Sequence, residues 1–217
     1  MAELRSTDRP TVAPVVAIAN PAALGLGGFA LTTFVLSTHN AGWAPDLTWV
    51  GLAFFYGGLA QFAAGMWEFR TGNTFGATAF STYGAFWLSL ATFVVLLLAG
   101  KVPAGDVTND LGWFLLSFAI FNTYMLFWSA RTNVATFMVF LTLEITEIIL
   151  FIGFFTASTG TIQLGGYAGI ITALVAWYAS AAAVGNSMRP TPILPVGRAI
   201  WSESTGGVTG RPHEMRP

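Results

Sequence analysis

Two acidic side chains stand inside an oily stretch, LTLEITEIIL (141–150): Glu144 and Glu147, with no basic residue near them. Carboxyl groups three positions apart are the equipment of proton transfer. A bare pair of charges at low dielectric is costly, so the sequence predicts that at least one of them is neutral at pH 7. An ionisable group in such a setting is a functional candidate by default. Glu147 and Glu144, with Glu68 at the end of an earlier apolar stretch, are the candidates for proton coupling. The plainer reading of the pair is two protonated struts hydrogen-bonded between helices.

Other chemistry has little to work with. The chain has no Cys and only two histidines, His39 and His213, so neither a thiolate nor a histidine metal site is expected. No nucleophile–base constellation and no nucleotide-binding motif occurs. The sequence therefore predicts neither an enzyme nor a cofactor, and any uphill process must draw on an ion or solute gradient. A net charge of −1 gives no sign of nucleic-acid binding.

The glutamates are explained by what surrounds them. Hydrophobic residues make up 54% of the 217 positions and charged residues 9%, against about 25% charged in an ordinary soluble domain. Apolar runs of the length that crosses a hydrocarbon core about 30 Å thick recur along the chain. We read an all-α polytopic membrane protein with six spans at about 21–40, 47–69, 77–99, 110–130, 134–157 and 164–187. The breaks NAGWAPD, RTGN, GKVPAGD, ARTN and STGT carry turn chemistry. This divides the chain into an N-terminal tail (1–19), a six-helix transmembrane domain (20–187) and a C-terminal tail (188–217) expected to be mostly irregular. The first 19 residues carry Glu3, Arg5, Asp8 and Arg9 before any long apolar run, unlike a signal peptide.

The basic residues orient the spans. Arg5, Arg9, Arg70, Arg131, Arg189, Arg198, Arg211 and Arg216 fall on one side and Lys101 alone on the other. The positive-inside rule then places both termini in the cytoplasm of a cell-membrane protein. Trp43, Trp49 and Trp113 fall where an outer aromatic belt is expected.

Three stretches carry a resemblance. NPAALGLGGFALTTF (20–34), FYGGLAQFAAGMWEFRTGNTFGATAFSTYGAFWL (55–88) and LPVG (194–197) are similar to motifs of the acetate uptake transporter family, which includes bacterial succinate–acetate permeases and fungal acetate/ammonia transport proteins. The resemblance covers about residues 20–197; Ala23 departs from it, standing where the family usually has a second proline. It implies six helices per protomer and a homo-hexamer in the lipid bilayer. Each protomer would have its own pathway for small monocarboxylates, with proton coupling. It also implies a narrow waist that falls here on Phe29, Tyr83 and Leu143. The family usually has apolar or hydroxyl residues where Glu144 and Glu147 stand, so the resemblance assigns them no role.

Spacing supports the waist. The odd-numbered spans begin near Asn20, Asn73 and Asn133, and nine or ten residues further on stand Phe29, Tyr83 and Leu143. At 1.5 Å per residue this is about 15 Å, roughly half the membrane core. One reading is three helical hairpins around a central pathway, an arrangement that transporters use with sites near the midplane; the other is coincidence, since Asn is a good N-cap and Phe, Tyr and Leu are abundant here.

Candidate solute-binding groups cluster at these places. Asn20, followed by Pro21, and Asn73 with Thr74 begin helices whose free N–H groups favour an anion; simple capping is the alternative, favoured for Asn133, while for Asn20 the resemblance points to function. Thr33 and Thr82 flank the waist, and Gln61 lies within the second span. Their polar groups serve either a solute or their own helix's carbonyls. The Tyr83 hydroxyl is placed to bind a carboxylate while its ring narrows the path. Glu68 either pairs with Arg70 or serves the inner mouth. His39 and Asn40 read as helix-end hydrogen bonders. Gly25, Gly27 and Gly28 permit close packing or leave width beside Phe29. At 100° per residue Glu147 lies about 40° from Leu143 and Glu144 about 100°, so Glu147 is nearer the pathway. The leading reading is transport of acetate or a similar short monocarboxylate, succinate included, by a channel-like or proton-coupled route. Conduction of ammonia or water and a non-transporting membrane sensor are the alternatives.

Overall fold

The computed structural model describes residues 18–202. Arg5, Arg9, Arg211 and Arg216, and with them most of the N-terminal tail and the end of the C-terminal one, lie outside the described residues. The described chain is all helix and connection: α1 (Ala22–Asn40), α2 (Thr48–Phe54), a π-helical turn (Phe55–Ala60), α3 (Gln61–Thr71), α4 (Thr74–Leu98), a 3-10 turn (Ala104–Asp106), α5 (Val107–Ser129), α6 (Val134–Phe155) and α7 (Thr159–Ser187). With α2, the π turn and α3 forming one rod, six helical spans are long and apolar enough to cross a membrane, and the protein is a multi-pass membrane protein.

The span boundaries follow from capping. α4 starts at Thr74, three residues ahead of expectation, because the Asn73 side chain accepts from the Gly76 N–H and caps the helix. α7 starts at Thr159 because Ser158 does the same for Thr161. The residues around these starts had the composition of loops, yet a good N-cap commits them to helix. α3 ends on Gly72, whose φ of 78° is left-handed, a conformation that glycine adopts without penalty. The π turn has no counterpart in the sequence reading. It sets Gly57 and Gly58 inward and leaves Phe55 and Leu59 exposed.

The spans form a ring in chain order, closed by the packing of α7 on α1. Small residues make the α1–α7 contact close: a Cβ on Gly166 would sit 2.8 Å from the backbone of Asn40 and Ser37. The α1 glycines face three neighbours, Gly25 the Phe80 ring, Gly27 Ser180 and Tyr56, and Gly28 the Tyr56 carbonyl. Close packing therefore accounts for them. α4 and α5 stand apart instead, and rings fill the gap: Phe86 lies 5.1 Å from Phe114 and 4.8 Å from Phe118 between ring centroids.

Residues 188–202 are irregular but pinned. The Asn186 amide bonds Ile193 N, Leu194 N and Leu194 O, and the Tyr178 hydroxyl donates to Pro195 O. The Val196 carbonyl accepts from Ala135 N in the first turn of α6, and Trp201 N donates to Ala130 O after α5. The Trp201 ring lies parallel to Trp128, with the Arg131 guanidinium 5.3 Å from its centroid.

Candidate functional site

α1, α4 and α6 bring Phe29, Tyr83 and Leu143 to one cavity of about 270 Å³. All three are buried, and Phe29 meets Tyr83 edge-on, with centroids 5.8 Å apart. From these side chains the cavity runs along Thr33, Trp87 and Leu150 to His39, Asn40 and Leu98. The last three are at the ends of α1 and α4 opposite Asn20 and Asn73. The lining is overwhelmingly apolar. Trp49 lines it too and is buried, not part of an aromatic belt as its position suggested, because the first turn of α2 faces it inward beside the His39 ring. Trp43 and Trp113 are exposed.

Glu147 lies on this cavity and is 3% exposed; Glu144 is half-buried on the α5 side of α6. This is the angular separation expected from helix geometry. The two carboxyls are joined by a residue that the sequence reading passed over. Asn122 of α5 is fully buried. Its Nδ2 donates to Phe140 O at 3.0 Å and to Glu144 Oε2 at 2.7 Å. Its Oδ1 lies 2.9 Å from the Tyr83 hydroxyl, which is 3.4 Å from Glu147 Oε1. Thr123 adds a donated bond to Glu144 Oε1 at 2.7 Å. The available signal was a lone amide in an apolar span, FNTYM (121–125), a residue type expected to bond across helices when it sits at membrane depth.

The remaining candidates divide. Thr33 is buried on the cavity, and its hydroxyl has no partner among the described residues. Thr82 is half-buried beside Tyr83. Gln61 is 1% exposed, backs onto Gly28, and leaves its Oε1 without a partner. At the opposite end of the bundle, Asn20 is exposed and accepts from Ala22 N, while Thr74 is exposed as the first residue of α4. Both ends of the Asn73 amide are engaged, one by Gly76 N and the other by Glu68 Oε2 at 2.9 Å. Glu68 is 2% exposed and bonds Thr71 and Asn73 rather than Arg70. Asn133 caps α6 through Thr136 N. His39 Nδ1 bonds Ala44 O at 2.9 Å, a helix-end role. The structure thus gathers Phe29, Tyr83, Leu143, Thr33 and Glu147 on one cavity, with Glu144 tied to it through Asn122 and Tyr83. Asn20, Asn73, Thr74 and Glu68 lie apart at the far end.

Residues 5–196 match the model of the GPR1/FUN34/yaaH family. Acetate permease A of Emericella nidulans is 43% identical over 204 residues, covering 85% of this chain and 67% of that protein. The succinate-acetate/proton symporter SatP of Escherichia coli is 37% identical over 185 residues, covering 84% of this chain and 97% of that protein. A solved structure described as the bacterial acetate channel SatP superposes with a TM-score of 0.80 at 36% identity, covering 83% of this chain and all of that one. On the length of these matches, this chain belongs to the GPR1/FUN34/yaaH family.

Proposed function

We propose that this protein carries acetate or a similar short monocarboxylate across a membrane, through a pathway that narrows at Phe29, Tyr83 and Leu143. The observation that carries the reading is the apolar cavity ending on those three side chains. A hydrophobic constriction excludes hydrated ions, whose water cannot be replaced there, and accepts a methyl group. The relatives' names, an acetate permease and a succinate-acetate/proton symporter, support the solute. Thr33 and Gln61 supply polar atoms near the narrow part. Asn20, Asn73 and Thr74 offer helix starts at the other mouth, with Glu68 behind them.

The same proposal includes three further elements. Glu147 takes part in the proton coupling, supported by its burial on the cavity beside Tyr83. Both termini are cytoplasmic in a cell membrane, supported by Arg70, Arg131, Arg189 and Arg198 at one end of the bundle and Lys101 at the other. The protein is a homo-hexamer of protomers, each with its own pathway, as the family resemblance implies.

Uptake of radiolabelled acetate by the purified protein in liposomes, with and without an imposed pH gradient, tests the reading. Flux above protein-free liposomes is expected, and a gradient-driven increase supports proton coupling. Flux indifferent to the gradient points to a passive channel. No flux at all removes the transport reading in favour of a sensor.

A further inference from the structure

We infer that Asn122 turns the Tyr83 hydroxyl so that its oxygen, not its hydrogen, faces the pathway, making the waist a reader of the undissociated acid. This rests on the transport reading above and names the form of the solute that the waist accepts.

The reasoning is an inventory of hydrogens. An amide nitrogen carries two, and an amide oxygen none. Asn122 Nδ2 has an acceptor for each: the Phe140 carbonyl at 3.0 Å and Glu144 Oε2 at 2.7 Å. Turning the amide over would set its oxygen against those two oxygens. The amide orientation is therefore fixed, and Oδ1 faces Tyr83 at 2.9 Å. A phenol has a single hydrogen, and the nearer acceptor, which can offer none in return, takes it. What Tyr83 shows towards Glu147 at 3.4 Å is then a lone pair. That pair is met by a carboxylic acid O–H and repelled by a carboxylate. In the resting protein Glu147 supplies the O–H. An arriving acid offers the same group, and its anion does not.

Glu144, half-buried on the outer side of α6, locks the amide without touching the cavity, so the two glutamates have different tasks. Asn122 does not conduct a proton, since passing one would require the amide to change tautomer; it sets a direction. The titratable groups near the cluster are Glu144 of α6 and Tyr124 of α5. α1 contributes only His39, at the outer end of the cavity. The π turn carries Tyr56, whose hydroxyl faces Gly27 of α1; from α2, α3 and α7 no titratable side chain acts on Tyr83 or Glu147 among the described residues.

The test measures initial uptake of radiolabelled acetate into liposomes holding the full chain. Total acetate is fixed and sub-saturating, pH is equal on both sides, and the protein-free rate is subtracted. Above the acid's own pKa the undissociated fraction falls about tenfold per pH unit, and the wild-type rate is expected to fall with it. Asn122→Leu frees the hydroxyl to turn its hydrogen inward, and the fall is expected to shrink to about threefold or less per unit. In a Tyr83→Phe background, Asn122→Leu is expected to leave the slope unchanged. A pH-independent wild-type rate, or an Asn122→Leu slope equal to wild type, overturns the inference; absence of any acetate uptake overturns the transport reading beneath it. A second measurement stands even where Asn122→Leu does not assemble. The infrared difference between wild type and Glu147→Gln at pH 7 is expected to contain the C=O stretch of a protonated carboxyl. A difference made of carboxylate bands alone overturns the inference.

Discussion

Phe29→Ala is the most direct perturbation of the waist. The ring is 4% exposed and meets Tyr83 edge-on at 5.8 Å. In a fully packed core this truncation costs about 3–5 kcal/mol. Part of the Phe29 surface borders the cavity instead of packed atoms, and the aromatic pair itself accounts for about 0.5–1.5 kcal/mol. A loss of about 2–3 kcal/mol follows, enough to lower the unfolding temperature while leaving the protein folded. The functional effect is on selection by size. A methylene in a fitted apolar site is worth about 1–3 kcal/mol, or roughly 10–200-fold, and butyrate is two methylenes longer than acetate. Removing the ring is expected to lower the acetate-to-butyrate uptake ratio by about tenfold or more. The assay is competitive uptake into liposomes, with protein-free rates subtracted for each acid. Phe55→Ala is the control: this phenylalanine is 71% exposed on the outside of the π turn, and the ratio should not move. A Phe29→Ala protein that stays folded with a ratio within about twofold of wild type, less than one methylene's worth, would refute the placement of the barrier at this ring.

Three more outcomes follow from particular contacts. Glu147→Gln keeps the shape and gives Tyr83 an amide N–H to accept, so assembly persists while the pH dependence of uptake changes; an unchanged pH profile removes Glu147 from proton coupling. Gly166→Ala forces a Cβ to 2.8 Å from backbone atoms of Asn40 and Ser37 and should cost about 1–3 kcal/mol by overpacking. By contrast Gly51→Ala meets nothing within 4 Å and should match or exceed wild type in thermal unfolding. Asn186→Ala removes three bonds to residues 193 and 194, and limited proteolysis should cut residues 188–202 faster; cleavage at the wild-type rate would count against the pinning.

Much of the architecture was legible because lipid imposes simple rules. Six spans, their antiparallel order and the breaks at NAGWAPD or RTGN follow from apolar length and turn chemistry. The placement of Phe29 and Tyr83 on the cavity was readable from the motifs around them, and that of Leu143 from the resemblance carried on into a less similar span, with its offset beyond Asn133 in support. The misses have a common cause, which is that meaning came from another helix. Asn122 is one amide in an oily span until α6 brings Glu144 and the Phe140 carbonyl to it. For Glu68 the sequence left a pair with Arg70 and a place at the inner mouth both open, and only the chain reversal after Gly72, which puts Asn73 beside it, removes the first. Trp49 looked like a belt residue because nothing local reveals that it packs against His39 of α1. LPVG was visible as a signature, but its role waits on Asn186, Tyr178 and Ala135, which only the folded chain sets around it.

The π turn at Phe55–Ala60 has a bearing on how this scaffold tolerates change. A wider ring of backbone bonds holds one residue more per turn than the helix on either side. The surplus residue is taken up locally, so the rod on each side keeps its own compass bearing: α2 directs Trp49 inward and α3 directs Gln61 and Glu68 inward. Excision of a single position within this turn should tighten it to an ordinary helix without swivelling either half. The same excision a few residues towards either end would spin one half by about 100° and turn its inward residues out to lipid. The second span can therefore be expected to carry length variation among relatives at this one place.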